Sequence, residues 1–344
     1  HDMVWSDYWR GLIIADTGNH ALRIVYANGT MGTLAGNGTV GGSFGYVPAS
    51  AARFNLPQGV ALGPDNIVYI ADTGNKFLRT LYPDGSVEAY IQAIDELTDV
   101  CMNIMFVYGV SQNAERAWWL LTIRPWSDHV RNGLHFGDPA DDDCANTAIC
   151  SLRRPHGIDL NTVESAILTI ADTGNNRVIE ANLQTESGRS FTGTISPDGS
   201  FSSPEHAARN PALKYTWVAD TMNNKMRLIQ GTNTRNMLNT LLKPAGFALD
   251  GGLSIWITSA GTHTVYYWYY SIQLYHVAGV PSLQGGYNGD CAAAHTCLLN
   301  TPLAVALASR TAQPDAVIFI VDSLNHRVRA YYFNGSLLTV AGSG

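Results

Sequence analysis

The chain has 344 residues, of which 46% are hydrophobic and only 14% charged, and its 33 glycines and 16 tyrosines are typical of a turn-rich all-β protein. Its net charge of −7 argues against nucleic-acid binding, which depends on a positively charged surface. No stretch approaches the roughly 18 uninterrupted apolar residues of a membrane-spanning helix, so we expect no membrane span.

The chain starts at His1 without an initiator methionine, and we expect a processed chain or a piece of a longer one. A phrase first seen as IADTGNH at residues 14–20 then recurs along it. The phrase returns as IADTGNK at 70–76, IADTGNN at 170–176, VADTMNN at 218–224 and IVDSLNH at 320–326, with degenerate copies at 121–129 and 257–263. Repeats of roughly 40–60 residues have the length of propeller blades and are too long for leucine-rich or ankyrin units.

A second phrase precedes most copies of the first. It reads PQGVAL at 57–62, PHGIDL at 155–160, PAGFAL at 244–249 and PLAVAL at 302–307, while VYGVSQ at 107–112 and PEHAAR at 204–209 occupy equivalent places. Between the phrases, β-branched and aromatic runs alternate with turn residues such as PD, TGN and PDG, so each repeat is predicted to form four short strands. Four antiparallel strands repeated radially make a propeller blade.

We therefore predict one all-β domain over residues 1–344, a β-propeller of seven four-stranded blades. The predicted blades are approximately residues 1–37, 57–92, 107–136, 155–195, 204–242, 244–279 and 302–344. The inner strand of the first blade is predicted at 2–6 and the outer strand of the last at 337–341. We expect the ring to close by non-covalent contact between these two blades.

The combination of ADTGNH-x-x-R-I with a preceding P-x-G-V-A-L resembles the NHL repeat, and the resemblance covers nearly the whole chain. It implies a β-propeller fold. Since propellers of this family usually have six blades, six is the alternative to the seven units counted here. The long connections at 35–57, 136–155 and 278–302 resemble loops of secreted, bacterial and plant-like NHL proteins.

The repeated polar residues are predicted to stabilise the fold. Five aspartates in a ring cannot converge on one substrate, so we expect each carboxylate to accept backbone N–H groups of its own turn. Gly18, Gly74 and Gly174 are predicted to adopt positive φ. Basic residues that follow each aspartate either form an anion-binding ring or, as we favour, pair with the neighbouring blade. They are Arg23, Arg79, Arg177, Lys225, Arg227, Arg327 and Arg329.

Two of the long loops carry cysteines with identical spacing, Cys144 with Cys150 and Cys291 with Cys297. We interpret each pair as a local disulfide; a zinc site is the alternative, although this spacing is wider than that of a usual zinc knuckle. Disulfides persist in oxidising compartments, so we expect the chain to be extracellular or lumenal. Cys101 is left over and is either a buried thiol or an intermolecular disulfide.

Three sequons, at Asn28, Asn37 and Asn334, are consistent with the same compartment. Because Asn-Gly is also a preferred hairpin turn, a purely conformational reading competes with glycosylation. The two readings make different predictions for the mass of the native protein.

The run VYYWYYSIQLY at 265–275 places aromatic side chains on both faces of a predicted third strand. One face is expected to pack on the next blade. The other either exposes an aromatic strip that contacts a protein or glycan partner, or is covered by a loop. The strip would comprise Tyr266, Tyr267, Trp268, Tyr269 and Tyr270.

No H-E-x-x-H or phosphate-loop motif is present in the sequence. A further resemblance is to the peptidyl-hydroxyglycine amidating lyases, NHL-like propellers that hold zinc through histidines in the axial channel. His156 and His206 lie on predicted inner strands, but no third histidine occupies a matching position. The acidic run at 138–143 is either a calcium site or a solvated loop.

These observations favour an extracellular, glycosylated interaction or structural module without a cofactor. Its partners are expected to be proteins or glycans at the cell surface, or copies of itself in a filamentous assembly. The alternative is a metal-dependent lyase or hydrolase that uses the axial channel, with zinc or calcium as its cofactor.

Overall fold

The computed structural model describes residues 2–26, 30–42, 45–63, 66–92, 97–102, 106–111, 116–121, 134–136, 156–161, 167–182, 192–195, 201–210, 213–231, 233–250, 254–269, 273–307 and 316–342. The elements in these ranges are short strands and single-turn 3-10 helices. No helix within them is long and apolar enough to span a membrane.

The strands form seven antiparallel sheets that follow one another along the chain, which is the arrangement of a β-propeller. Six sheets have four strands, and a two-residue strand adds a fifth to the outer edge of the second sheet. The first three blades contain β1 Met3–Ser6, β2 Gly11–Asp16, β3 Ala21–Tyr26 and β4 Met31–Ala35; β5 Val47–Pro48, β6 Pro57–Leu62, β7 Val68–Asp72, β8 Phe77–Leu81 and β9 Ser86–Gln92; and β10 Leu97–Met102, β11 Phe106–Ser111, β12 Arg116–Leu121 and β13 Leu134–Phe136.

The remaining four blades repeat the pattern without an added strand. They contain β14 Ile158–Asn161, β15 Ile167–Asp172, β16 Arg177–Asn182 and β17 Thr192–Ile195; β18 Pro204–Asn210, β19 Tyr215–Asp220, β20 Lys225–Gln230 and β21 Asn233–Leu238; β22 Pro244–Leu249, β23 Ile255–Ser259, β24 Thr264–Tyr269 and β25 Gln273–Ala278; and β26 Pro302–Leu307, β27 Ala316–Asp322, β28 Arg327–Tyr332 and β29 Leu337–Ala341. The 3-10 turns are Thr17–Asn19, Ala49–Ala51, Thr73–Asn75, Thr173–Asn175, Thr221–Asn223, Ala294–Thr296 and Ser323–Asn325.

The third blade differs from its predicted boundaries. Its inner strand is β10, which begins at Leu97 and lies beside β6 and β14, whereas we predicted an inner strand from 107. Residues 106–111 form the second strand and Arg116–Leu121 the third, so the degenerate phrase at 121–129 begins at the end of the third strand and otherwise lies outside the described residues. The prediction was wrong here because neither phrase survives in this blade to set the register.

The hydrophobic core of the described residues lies between blades, since buried clusters join the first blade to the second, the fourth to the fifth, the fifth to the sixth and the sixth to the seventh. The ring closes without a shared sheet. Leu12 and Ile14 of the first blade pack with Phe319 and Val328 of the last, and Trp5 stacks on Phe319 with ring centroids 6.3 Å apart. Closure by non-covalent contact is therefore confirmed.

Neighbouring inner strands approach each other closely at the glycine of the P-x-G phrase. A Cβ on Gly246 would lie 2.4 Å from the Leu303 carbonyl oxygen, and one on Gly157 would lie 2.8 Å from the Glu205 carbonyl oxygen. A side chain at either position would collide with backbone, which explains why glycine stands there.

The signature turn does not use its glycine in the way we predicted. Gly18, Gly74 and Gly174 have no positive φ; the left-handed conformation falls two residues later, for example at His20 with φ of 53°. The Thr-Gly-Asn triplet forms a 3-10 turn whose middle position needs no special φ, so Met222 can take it in the fifth blade.

Candidate functional site

Each signature aspartate ends the second strand of its blade and lies at the centre of a polar network. In the second blade, Asp72 is fully buried, and its Oδ1 accepts a hydrogen bond from the Asn55 backbone N–H at 2.7 Å. Its Oδ2 accepts one from Asn75 Nδ2 at 2.8 Å and pairs with the Arg79 guanidinium. Burial raises the pKa of Asp72, although the nearby Arg79 counteracts that rise.

The same network recurs around the ring. Backbone N–H groups of Ser202 and Asn300 reach Asp220 and Asp322 at 2.7 Å each. The arginine pairs are Arg23 with Asp16 at 2.9 Å, Arg177 with Asp172 at 2.6 Å, Arg227 with Asp220 at 2.9 Å and Arg329 with Asp322 at 3.6 Å.

Two details of our interpretation are corrected by this network. The carboxylate accepts the N–H of the segment that enters the inner strand, not that of its own turn. The arginine pairs with the aspartate of its own blade, not with the neighbouring blade. Both corrections have one cause, since the entering segment and the third strand flank the end of the second strand in the second, fifth and seventh blades. Five of the predicted basic residues therefore pair with an aspartate of their own blade, which argues against an anion-binding ring.

Two further residues of the phrase join each blade to the next. Thr17, Thr173 and Thr221 donate their hydroxyls to the carbonyl oxygens of Pro57, Pro204 and Pro244 at 2.6, 2.7 and 2.8 Å. The left-handed residue accepts a backbone N–H of the next blade through its side chain. These pairs are His20 with Leu56 at 3.1 Å, Asn176 with Ser203 at 2.8 Å, Asn224 with Lys243 at 2.9 Å and His263 with Thr301 at 2.9 Å.

Sequence reasoning missed this second set of contacts. The available signal was that five of the six positions after the Thr-Gly-Asn triplet or its variants carry His or Asn, side chains with an acceptor a short distance from the backbone. The phrase therefore determines the contacts at the seam, which is the boundary between two neighbouring blades, as well as the turn.

The predicted disulfide between Cys291 and Cys297 is present in the loop that enters the seventh blade, with an S–S distance of 2.03 Å. Beside it, the fully buried Arg329 donates to the Gly289 carbonyl oxygen at 2.9 Å and lies 3.5 Å from Cys297 Sγ.

The loop that enters the second blade has the same backbone arrangement without a disulfide. Val47 pairs with the outer strand there as Cys291 does in the seventh blade, and Ala52 ends a 3-10 turn as Cys297 does. The loop conformation therefore does not depend on the sulfur bridge, which reinforces it.

Two of the three sequon asparagines fall within the described residues, and both lie on the surface. Asn37 is exposed, and its Oδ1 accepts the Thr39 backbone N–H at 2.9 Å. Asn334 is exposed in the last hairpin, where its Oδ1 accepts from the backbone N–H and hydroxyl of Ser336 at 2.9 and 2.7 Å. In both, the side-chain oxygen is used in the turn.

The aromatic run at 265–275 does not form a continuous exposed strip. Trp268 is only 3% exposed and packs edge-on against Trp217 of the fifth blade, with ring centroids 5.2 Å apart. Tyr267, on the opposite face, lies 4.4 Å from Trp256. Both faces of the strand are covered because the blade has a neighbour on each side. Tyr266 is half-buried, and Tyr269 is the one largely exposed member among those described.

His206 lies on the inner strand β18, as predicted, whereas His156 lies just before the neighbouring inner strand β14. His206 Nδ1 accepts the Phe247 backbone N–H at 3.3 Å, and its ring lies 4.4 Å from the Phe247 ring. Burial, and secondly the charge of His156, lower the pKa of His206 to about 4, so the ring is neutral at pH 7 with its proton on Nε2. No three His, Cys, Asp or Glu side chains in the described ranges form a cluster that could hold a metal.

Other predicted site residues fall outside the described ranges. They are Cys144, Cys150, Asn28, Tyr270, the acidic run at 138–143 and the side chain of Cys101.

Comparison with known proteins identifies the repeat and the fold. The profile of the NHL repeat matches residues 54–80. NHL repeat-containing protein 2 of Bos taurus is 41% identical over 70 residues, which is 20% of this chain and only 9% of that protein.

Solved structures match over most of the chain. Virginiamycin B lyase of Staphylococcus aureus superposes with a TM-score of 0.61 at 12% identity, covering 93% of this chain and 90% of that one. Hydrazine synthase of Kuenenia stuttgartiensis gives 0.61 at 13% identity, covering 99% and 95%. At these identities the likeness shows a shared fold alone.

Proposed function

This chain is a β-propeller of the NHL-repeat family, and we propose that it works outside the cell as a glycosylated interaction or structural module. Its partners would be proteins or glycans at the cell surface, or further copies of the chain in a filamentous assembly.

The observation that carries this proposal is the use of the repeated polar residues. The aspartates, arginines, threonines and left-handed residues of the phrase are engaged within blades or across seams, so they build a scaffold. The apolar side chains that remain exposed lie on connecting loops and hairpins. Tyr46, Leu283 and Phe333, for example, are 60%, 81% and 64% exposed. A rigid ring with apolar side chains on its loops suits the display of contact surfaces.

Two features support the extracellular part of the proposal. The Cys291–Cys297 disulfide would persist in an oxidising compartment. Asn37 and Asn334 stand exposed in sequons, where a glycan would meet no buried surface.

The function is tested by binding and self-association. The purified full chain, fluorescently labelled, is titrated onto cells and examined by sedimentation velocity at rising concentration. We expect saturable cell-surface binding or concentration-dependent association. A monomer at every concentration that binds neither cell-surface proteins nor glycans would contradict the proposal.

A channel enzyme is the second candidate, because His156, just before β14, lies near His206 on the adjacent inner strand β18. Elemental analysis of protein purified without chelators separates the two. Stoichiometric zinc or calcium that is lost in a His206→Asn variant would favour the lyase or hydrolase, and a metal-free chain that binds cell surfaces would favour the module.

A further inference from the structure

The outer edge of a blade is the solvent side of its fourth strand, and the chain covers this edge in the second and seventh blades. In the second blade, Val47–Pro48 pairs with the outer edge of β9. In the seventh blade, Cys291 exchanges two backbone hydrogen bonds of 3.0 and 2.9 Å with Leu337 of β29. In both blades, the covering residues belong to the long connection that enters the blade.

The sixth blade lacks this cover, because the connection that enters it is short. Only residues 239–243 lie between the end of β21 and the start of β22, and the structure describes all of them. Leu241 is buried, and the Lys243 backbone N–H donates to the Asn224 side chain at 2.9 Å, so this connection runs along the seam with the fifth blade. Within the described ranges, no strand pairs with the outer edge of β25.

The sixth and seventh blades can be matched position by position, because their third and fourth strands share one register. Trp268 pairs with Leu274 across β24 and β25 as Tyr331 pairs with Leu337 across β28 and β29. The matched positions on the fourth strands are Leu274 with Leu337, Tyr275 with Leu338, and His276 with Thr339.

In the seventh blade, the entering loop satisfies the backbone groups that point outward at these positions. Leu337 uses both its N–H and its C=O in the bridge to the loop, and the Thr339 N–H donates to Asp290 Oδ1 at 2.7 Å. By the shared register, the equivalent groups of Leu274 and His276 point outward from the sixth blade. An open strand edge of this kind is a template for another strand.

The residues of β25 do not protect this edge. Open edges are ordinarily guarded by charged residues or proline, but QLYHVA contains no Lys, Arg, Asp, Glu or Pro. The edge of the fifth blade carries Arg235 at the position that Tyr275 holds in the sixth. Two copies that met at their fifth blades would oppose two arginines, whereas two copies that met at β25 would avoid such repulsion, although each chain carries a net charge of −7.

Two exposed tyrosines lie beside the open edge. Tyr275 is 44% exposed and Tyr269 is 47% exposed. Tyr267 pairs with Tyr275 across the strands, and its ring lies 6.2 Å from that of Tyr269. Because cross-strand partners share a face of the sheet, the three rings form one group next to the edge. Tyrosine is enriched where proteins meet, since its ring is apolar and its hydroxyl can hydrogen-bond.

We propose that β25 pairs with β25 of a second copy of this chain, antiparallel and about a twofold axis at Tyr275. In this register, Leu274 of each copy lies opposite His276 of the other, and the two residues exchange backbone N–H and C=O hydrogen bonds. Tyr275 faces Tyr275 of the second copy in a non-hydrogen-bonded pair, the type that brings facing side chains closest. This inference rests on the proposed role as an interaction module and names a second copy as the partner.

The size of this contact sets its expected strength. A six-residue strand is about 20 Å long, and one strand pair with its flanking tyrosines is smaller than the roughly 800 Å² per partner of a standard complex. We therefore expect a weak dimer that forms in the micromolar range and dissociates on dilution. Because a twofold contact uses the same surface on both copies, it closes at two chains.

Sedimentation velocity of the full chain at rising concentration measures the dimer. We expect the wild type to shift from monomer to dimer. Tyr275→Arg copies Arg235 of the fifth blade and should weaken the dimer at least tenfold, because it sets two like charges against each other at the axis. Asn236→Arg adds the same charge at an exposed position on the edge of the fifth blade and should dimerise as the wild type does.

A charge exchange at residue 275 tests the register. Tyr275→Glu alone should be as impaired as Tyr275→Arg. An equimolar mixture of the two variants should dimerise, because the axis then places opposite charges across from each other. Circular dichroism and thermal unfolding confirm that each variant is folded.

The inference would be overturned by a wild type that stays monomeric at every concentration, by a folded Tyr275→Arg variant that dimerises normally, or by a mixture of the charge variants that stays monomeric. Failure here is distinguishable from failure of the proposed function. A monomeric chain that binds cell surfaces loses only the strand pairing. A chain that dimerises through β25 but carries no glycan or disulfide and binds no cell surface loses only the extracellular role.

Discussion

The contacts between blades give a sharp prediction, because two equivalent hydroxyls differ in whether they have a hydrogen-bond partner among the described residues. Thr221, only 3% exposed, donates its hydroxyl to the Pro244 carbonyl oxygen at 2.8 Å. Ser323 occupies the same place in the last blade, and its Oγ is buried without a hydrogen-bond partner among the described residues. Thr221→Val keeps the shape and removes the donor, which should lower the free energy of unfolding by about 1–3 kcal/mol.

Ser323→Ala removes a hydroxyl that is buried and unsatisfied, so it should be neutral or stabilise the fold by up to about 1 kcal/mol. Urea unfolding followed by tryptophan fluorescence measures both variants, with the midpoint as readout and an unchanged slope as the check that the transition is comparable. Equal destabilisation by the two substitutions would refute the reasoning, because the effect would then not depend on the bond across the seam.

Three further predictions concern other parts of the propeller. His206 has a pKa of about 4 in the folded chain and about 6.5 in the unfolded chain, so its contribution to the free energy of unfolding is complete above pH 6.5 and is lost as pH falls toward 4. Between these pH values, the free energy of unfolding of His206→Asn should fall by about 2–3 kcal/mol less than that of the wild type. Parallel curves of unfolding free energy against pH would contradict this prediction. The double variant Cys291→Val with Cys297→Ala copies the loop of the second blade, so it should fold with a melting temperature lower by about a few degrees. Loss of folding would show that the disulfide is essential. Gly246→Ala should destabilise the fold by about 2 kcal/mol or more, because its Cβ would lie 2.4 Å from a backbone oxygen. Gly18→Ala should cost less than about 0.5 kcal/mol, because nothing lies within 4 Å of its Cβ position. Similar losses for both variants would contradict the packing argument.

Much of the fold follows from the local pattern. The signature phrases mark the second strand and its turn, and the P-x-G phrase marks the inner strand, so blades that carry both phrases were located closely. The third blade was misplaced because both phrases are absent there, and alternating apolar residues alone do not say which of four strands they form.

The partners of side chains were harder to predict than the strands. Arg79 follows Asp72 by only seven residues in sequence, yet the geometry of this ion pair depends on how β7 and β8 leave the turn. The aromatic run alone left two alternatives for the strip that contains Trp268, exposure to a partner or cover by a loop. In a propeller, however, a middle strand is covered on both sides by adjacent blades.

The central claim is that this propeller works outside the cell, and intact mass of the native protein tests it most directly. The mass is measured as isolated, after reduction, and after enzymatic removal of N-linked glycans. The account predicts a gain of about four hydrogens on reduction, from the pairs Cys291–Cys297 and Cys144–Cys150, and glycan mass on at least one of Asn28, Asn37 and Asn334. Free thiols together with an unmodified chain mass would contradict it.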